Sequence, residues 1–278
     1  MIRNVLFLLC FLVVIGCKKD DDVIACFGYY TTEVTPGEVQ FTNCSENAAT
    51  FYWDFGDGQS STEREPKHVF GGNFPYQVQL KAGKGGKYNT VSRQVPGEIM
   101  VYKPNIYIYP EKAIDLCVHI GFPMGGSIVE SIPRYGSGWC VNVEPSGRID
   151  KAYDYLFYES RQPDVFQYRQ GWCVARADLK AFFERNMTAY NFSRAEVEDF
   201  TRYWIPKLTE SSYYLIYPQT AEIINKVIQL DFSVKPASVN RLFYAISETA
   251  TSTGIAEPVV EKFNRRGFHV VEWGVIIK

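Results

Sequence analysis

The chain has little charge of either sign to spare and no long apolar stretch. Its 278 residues carry 29 Lys and Arg against 31 Asp and Glu, a net charge of −2, so it has no electrostatic footprint for nucleic acid. The apolar run from Val5 to Ile15 is eleven residues long. At about 1.5 Å per residue it spans only about half of a bilayer's hydrocarbon core, which excludes a transmembrane helix there. There are three His, no CxxC and no Cys/His cluster, so a zinc site has no support. GxSxG, HExxH and a glycine-rich phosphate loop are also missing, and no cofactor is implied.

What is present is a globular composition, 46% hydrophobic and 22% charged, long enough for two domains. Aromatics reach 15%, with 19 Tyr and 19 Phe. Such residues suit pleated, half-buried sheets, and they also make platforms for a sugar or peptide ligand.

The N-terminus reads as an export signal: Arg3, the apolar run, then small residues. Val14-Ile15-Gly16-Cys17 resembles a bacterial lipobox, the alternative being an ordinary signal that happens to contain a Cys. The resemblance implies a signal peptide over 1–16 and lipidation of Cys17, with more than one acyl chain for stable membrane anchoring. Residues 17–23 form the tether. Lys18-Lys19-Asp20-Asp21-Asp22 resembles the acidic export tag of surface lipoproteins in the Bacteroidetes group. The expectation is an outer-membrane protein, anchored to the membrane through lipid and facing the exterior.

Residues 24–97 alternate in short segments: Val39–Thr42, Thr50–Phe55, Lys67–Phe70, Tyr76–Ala82 and Tyr88–Val95. Turn residues about every ten positions predict an antiparallel sandwich. Val39 to Asn43, Trp53-Asp54-Phe55-Gly56-Asp57-Gly58, Pro66 to Phe70, Gly72 and Tyr76 to Leu80 resemble a PKD domain, which implies an all-β Ig-like fold. In that signature Trp53 and Phe55 alternate onto the core face, and Gly56 and Gly58 permit positive φ. Asp54 and Asp57 can accept from turn amides, and this is favoured over a Ca²⁺ site because too few oxygens lie nearby. His68 is expected to pack rather than to act. Cys26 and Cys44, in one small sandwich and an oxidising compartment, are expected to pair. With Cys10 cleaved away and Cys17 lipidated, five Cys remain, so at least one is unpaired within the chain.

After Pro96-Gly97 the pattern changes, and residues 98–278 predict an α+β domain: a mostly antiparallel sheet with a two-helix insertion. Strands are expected at 105–109, 114–120, 127–132, 139–143, 155–158 and 172–175. Gly125-Gly126 and Gly136-Ser137-Gly138 are expected to be hairpin turns. Leu179, Phe182, Phe183, Met187 and Tyr190 repeat at helical spacing after Asp178 as N-cap. Ser193 to Glu196 makes a capping box for a second helix that Pro206 should end. Strands return at 213–217, 223–232, 239–246 and 268–277. The echo of Gly138-Trp139-Cys140-Val141 in Gly171-Trp172-Cys173-Val174 suggests a Cys140–Cys173 disulfide that leaves Cys117 free.

Lys103 to Glu111 (KPNIYIYPE), Tyr155 to Glu159, Tyr203 to Pro206 and Arg266 to Gly274 resemble, in order, the motifs of an uncharacterised bacterial domain family. That resemblance implies no catalytic residues. The carboxylates in aromatic surroundings are Glu111, Glu159 and Glu272. Gathered in one pocket they could hydrolyse a glycan, and dispersed they are turn caps or partners of Arg241, Arg265 or Arg266. Two functional readings follow: a displayed binding or scaffold protein with a glycan or envelope-protein partner, or a secreted glycan- or peptide-directed hydrolase. In either, the PKD module is a spacer or adhesion unit and the C-terminal domain acts.

Overall fold

The structure is a computed structural model that describes residues 22–31, 37–70 and 75–278. Cys17, the leader, most of the tether and Gly72 lie outside the described residues. Among the described residues no helix is long and apolar enough to cross a membrane.

The first unit is a sandwich. Strands β1 (Phe27–Thr31), β2 (Glu38–Asn43) and β5 (Lys67–Val69) form one sheet, in the order β1-β2-β5. The other, ordered β4-β3-β6-β7, contains β3 (Thr50–Asp54), β4 (Ser60–Ser61), β6 (Tyr76–Lys84) and β7 (Lys87–Val95). Between them pack Phe27, Phe41, Trp53, Phe55, Phe70, Val78 and Leu80. Trp53 is fully buried and its indole N–H donates to the Glu63 carbonyl at 2.9 Å, so its one polar atom is satisfied inside the core. Cys26 and Cys44 form a disulfide.

The second unit has three layers. Its seven-stranded sheet follows the order β10-β12-β8-β17-β16-β14-β13. The strands are β8 (Glu98–Tyr109), β10 (Ser127–Ile132), β12 (Leu156–Pro163), β13 (Trp172–Ala175), β14 (Tyr213–Thr220), β16 (Ser238–Thr249) and β17 (His269–Ile277). All neighbours run antiparallel except β16 and β17, which are parallel. One face is covered by α1 (Leu179–Ala189) and α2 (Arg194–Trp204) through Phe183, Phe200, Trp204 and Tyr244. The other is covered by a small sheet ordered β11-β9-β15, made of β9 (Ile114–Gly121), β11 (Trp139–Val143) and β15 (Gln229–Phe232), together with the short α3 (Ala221–Ile224).

Several expectations are corrected. The glycine turns do have positive φ at Gly125, Gly126, Gly136 and Gly138, but they do not close hairpins. They carry the chain from β9 to β10 and back to β11, and β10 belongs to the large sheet. The stretch 223–232 begins as α3 and is strand only from Gln229. Asp178 makes no side-chain cap, because a 3-10 turn over Arg176–Asp178 precedes α1. The Ser193 capping box is formed in both directions, and α2 gives way at Trp204 to a 3-10 turn containing Pro206.

The Cys140–Cys173 pairing is also overturned. Cys140 is bonded to Cys117, directly opposite it in the β9–β11 ladder, and Cys173 is the free thiol among the described residues. Cross-strand register places two Cβ atoms side by side, whereas Cys173 lies on β13, at the far edge of the other sheet.

Candidate functional site

The PKD signature residues are engaged structurally. The Gly56 amide donates to Asp54 Oδ1 at 2.9 Å and the Gln59 amide to Asp57 Oδ1 at 3.0 Å. Asp57 Oδ2 lies 2.7 Å from His68 Nε2, and the His68 ring stacks on Phe55 with centroids 3.9 Å apart. Burial acts to raise the Asp57 pKa, but the bonds from His68 and the Gln59 amide outweigh it and hold the carboxyl low. Gly56 and Gly58 both have positive φ, as the turn requires.

The three candidate carboxylates of the second unit are not brought together. Glu272 is fully buried on the small-sheet face, where Arg241 Nε donates to it at 2.5 Å and the Tyr158 hydroxyl at 2.9 Å. Arg241 is itself 1% exposed and also donates to Asn225 Oδ1 and the Ile228 carbonyl, so Glu272 belongs to a structural ion pair. Glu111 is exposed in the turn after β8. Glu159, next to Tyr158 in β12, points to the opposite face, toward Lys103 and α2.

Around Lys103 the structure builds a site that no single motif revealed. In β8, Ile99 and Val101 face the small sheet at odd positions, and Ile106 and Ile108 face it at even ones. The parity changes because β8 carries an extra residue between Val101 and Asn105. The pairing shifts register there against β12 on one side and against β17 on the other. Lys103 occupies this bulge with φ +53°. That conformation costs a side-chain-bearing residue about 1–2 kcal/mol, and bulges re-aim side chains, often beside functional sites. Gly274 lies opposite: a Cβ there would come within 3.0 Å of Phe243 and 3.3 Å of Pro104.

The re-aimed Lys103 ammonium stands over three rings, 4.3 Å from the centroid of Phe157, 5.1 Å from Tyr203 and 5.2 Å from Tyr155. Burial pushes the Lys103 pKa down, against the opposing pull of Glu159, Asp199 and Glu130. The ring faces add their own attraction for the ammonium. Glu159 is paired across the ladder with Glu130, and burial together with that like charge raises its pKa. Lys103 opens into a cleft of about 220 Å³ lined also by Ile132, Ala152, Tyr153, Asp154, Tyr155 and Phe157.

Behind this wall the Tyr107 hydroxyl donates to Asp199 Oδ2 at 3.0 Å, and burial raises its pKa strongly. Asn105, fully buried and opposite Phe157 in the ladder, lies beside the hydroxyls of Tyr107 and Tyr155, yet neither of its side-chain polar atoms completes a hydrogen bond. The Trp273 indole N–H, also beside Tyr107, is likewise unpartnered. Buried polar atoms without partners are few in folded proteins; among the described residues Trp204 Nε1 and Arg241 Nη2 are the others.

The site thus unites Lys103, Asn105 and Tyr107 from the first motif of the domain, Tyr155, Phe157 and Glu159 from the second, and Tyr203 from the third. Trp273 of the fourth lies against its inner side. Of these only Glu159 stood out from the sequence as a candidate. The missed signal was the parity change between Val101 and Ile106.

No curated protein matches the chain. Among solved structures it is similar to the PKD1 domain of Vibrio anguillarum Epp, with 28% identity over 28% of this chain and 94% of that one, at a TM-score of 0.25. It is also similar to the PKD1 domain of the Vibrio cholerae metalloprotease PrtV, with 27% identity over 28% of this chain and 98% of that one, at a TM-score of 0.25. A family model for PKD domains matches residues 29–95, the stretch whose turn and core are described above, and this part of the chain is a PKD domain.

Proposed function

We propose that the chain is a lipid-anchored protein of the outer membrane, displayed outward, that binds a ligand through its C-terminal domain while the PKD domain holds that domain off the membrane. The observation that carries this reading is the convergence of separate motifs on the Lys103 cleft. It offers the Lys103 ammonium, the Asp154 carboxylate and aromatic side chains together, a combination suited to recognition. The anchor rests on the sequence around Cys17 and on the acidic tether.

Radiolabelled palmitate should enter the wild type and not Cys17→Ser, and protease added to intact cells should remove the C-terminal domain. Protection of the whole chain would place it in the periplasm instead. For the site, the chain from residue 22 onward, immobilised, should retain components of an envelope extract that Lys103→Gly does not retain and Tyr52→Ala still does. Equal retention by all three proteins would move the binding surface away from Lys103.

A hydrolase reading is favoured by one observation: Glu159, with its pKa raised, stands opposite Glu130, as an acid beside a second carboxylate. Turnover of the retained ligand by the wild type and its loss in Glu159→Gln would select that reading.

A further inference from the structure

We infer that the Lys103 cleft receives one neutral pyranose unit of a glycan, its apolar face laid against the aromatic wall and its hydroxyls bonded by Lys103 and Asp154. The inference rests on the cleft being the binding site, and it names the class of ligand.

Size is the first argument. At about 220 Å³ the cleft lies below the roughly 300–1,000 Å³ of sites that enclose drug-sized ligands. It suits a single small ring rather than a folded peptide or a cofactor. The walls are the second. Tyr153, Tyr155 and Phe157 come from one short stretch, Ile132 closes the side, and Lys103 and Asp154 supply polar atoms at the rim. A pyranose has this same division, with C–H groups on a face and hydroxyls around the edge, so apolar and polar surfaces meet their counterparts.

Charge is the third argument, and it selects a neutral sugar. Lys103 is surrounded by Glu159, Asp199 and Glu130, and Asp154 is bonded by Arg148. Groups of both signs act on one another here, so neither an anionic nor a cationic ligand gains a net field. Hydroxyls both donate and accept, and a mixed-charge rim can satisfy them in both directions.

The probes are four neutral tetrasaccharides, cellotetraose, laminaritetraose, maltotetraose and mannotetraose, titrated calorimetrically into the chain from residue 22 onward. At least one should bind. Tyr155→Ala and Lys103→Gly should each weaken it tenfold or more, while Tyr52→Ala, on the exposed PKD face, leaves it unchanged. Thermal melts of each variant confirm that the fold is retained. Binding of none of the four, with an envelope peptide or protein instead retained in a Lys103-dependent way, would overturn the sugar assignment and leave the site standing. A tetrasaccharide bound equally by all variants would overturn the assignment of sugar to this cleft. Binding of none, with no Lys103-dependent retention of anything else, would overturn both.

Discussion

Tyr158 and Glu159 are consecutive residues of β12, and the two faces of the sheet they point to treat charge in opposite ways. On Tyr158's side, Glu272 and Arg241 are buried almost completely, and the carboxylate accepts from both the guanidinium and the tyrosine hydroxyl. On Glu159's side, Lys103 is held over aromatic rings on a strained bulge, the nearest carboxylates face each other, and Asn105 and Trp273 keep polar atoms without partners. The first arrangement spends its charges on the fold, with Arg241 Nη2 alone left without a partner. The second holds the Lys103 ammonium at an open cleft, and there a ligand has something to bind. Burial and a suggestive sequence context therefore do not identify a functional carboxylate. A strained neighbour at an open cleft is a better marker.

The largest effect should come from the ion-paired face. Glu272→Ala leaves the Arg241 charge buried without its partner and should cost about 3–5 kcal/mol of stability in urea unfolding. Replacing both residues with Met should recover most of that loss, because the desolvation penalty disappears with the charges. A double variant no better than the single would mean that Arg241's bonds to Asn225 and the Ile228 carbonyl matter more than the pair itself.

On the other face the same experiment should read very differently. Lys103→Gly removes the ammonium and relieves the positive φ, so stability should stay within about 1 kcal/mol of wild type while ligand retention is lost. Lys103→Val should be clearly less stable than Lys103→Gly, since a β-branched residue tolerates that backbone poorly. Equal melting temperatures for the two variants would argue against the bulge geometry.

The smallest effect concerns pH. Burial and Glu130 raise the Glu159 pKa in the folded state, so its ionisation opposes folding. That destabilisation is absent at low pH and grows as pH rises from the unfolded carboxylate value through the raised folded one. Glu159→Gln should therefore raise the melting temperature slightly at pH 7 and change little at pH 4. An unchanged difference between the two pH values would place Glu159 in free solvent.

Most strands were legible because alternation is a local property: β10, β11 and β13 occupy the predicted ranges. The Ser193 capping box was legible for the same reason, its donors and acceptors lying within one turn. Long-range pairing was not. The turns at Gly125 and Gly136 look like hairpin turns in isolation, and only packing against two different layers shows that they join separate sheets. Cys117 carried no local mark of its partner, and the echo between Cys140 and Cys173 reflected similar strand sequences rather than proximity.

By itself the sequence determined the PKD unit, whose core residues and turn carboxylates act within a few positions of one another, and the alternation that makes the second unit a sheet with a helical pair. Tertiary structure alone decided which face each carboxylate of β12 and β17 would occupy and which cysteines would meet. It also decided that motifs scattered from Lys103 to Trp273 would meet around one side chain. The physical reason is that strand neighbours in a sheet of this order are far apart in the chain. Their contacts depend on register, and a single inserted residue at a bulge resets it.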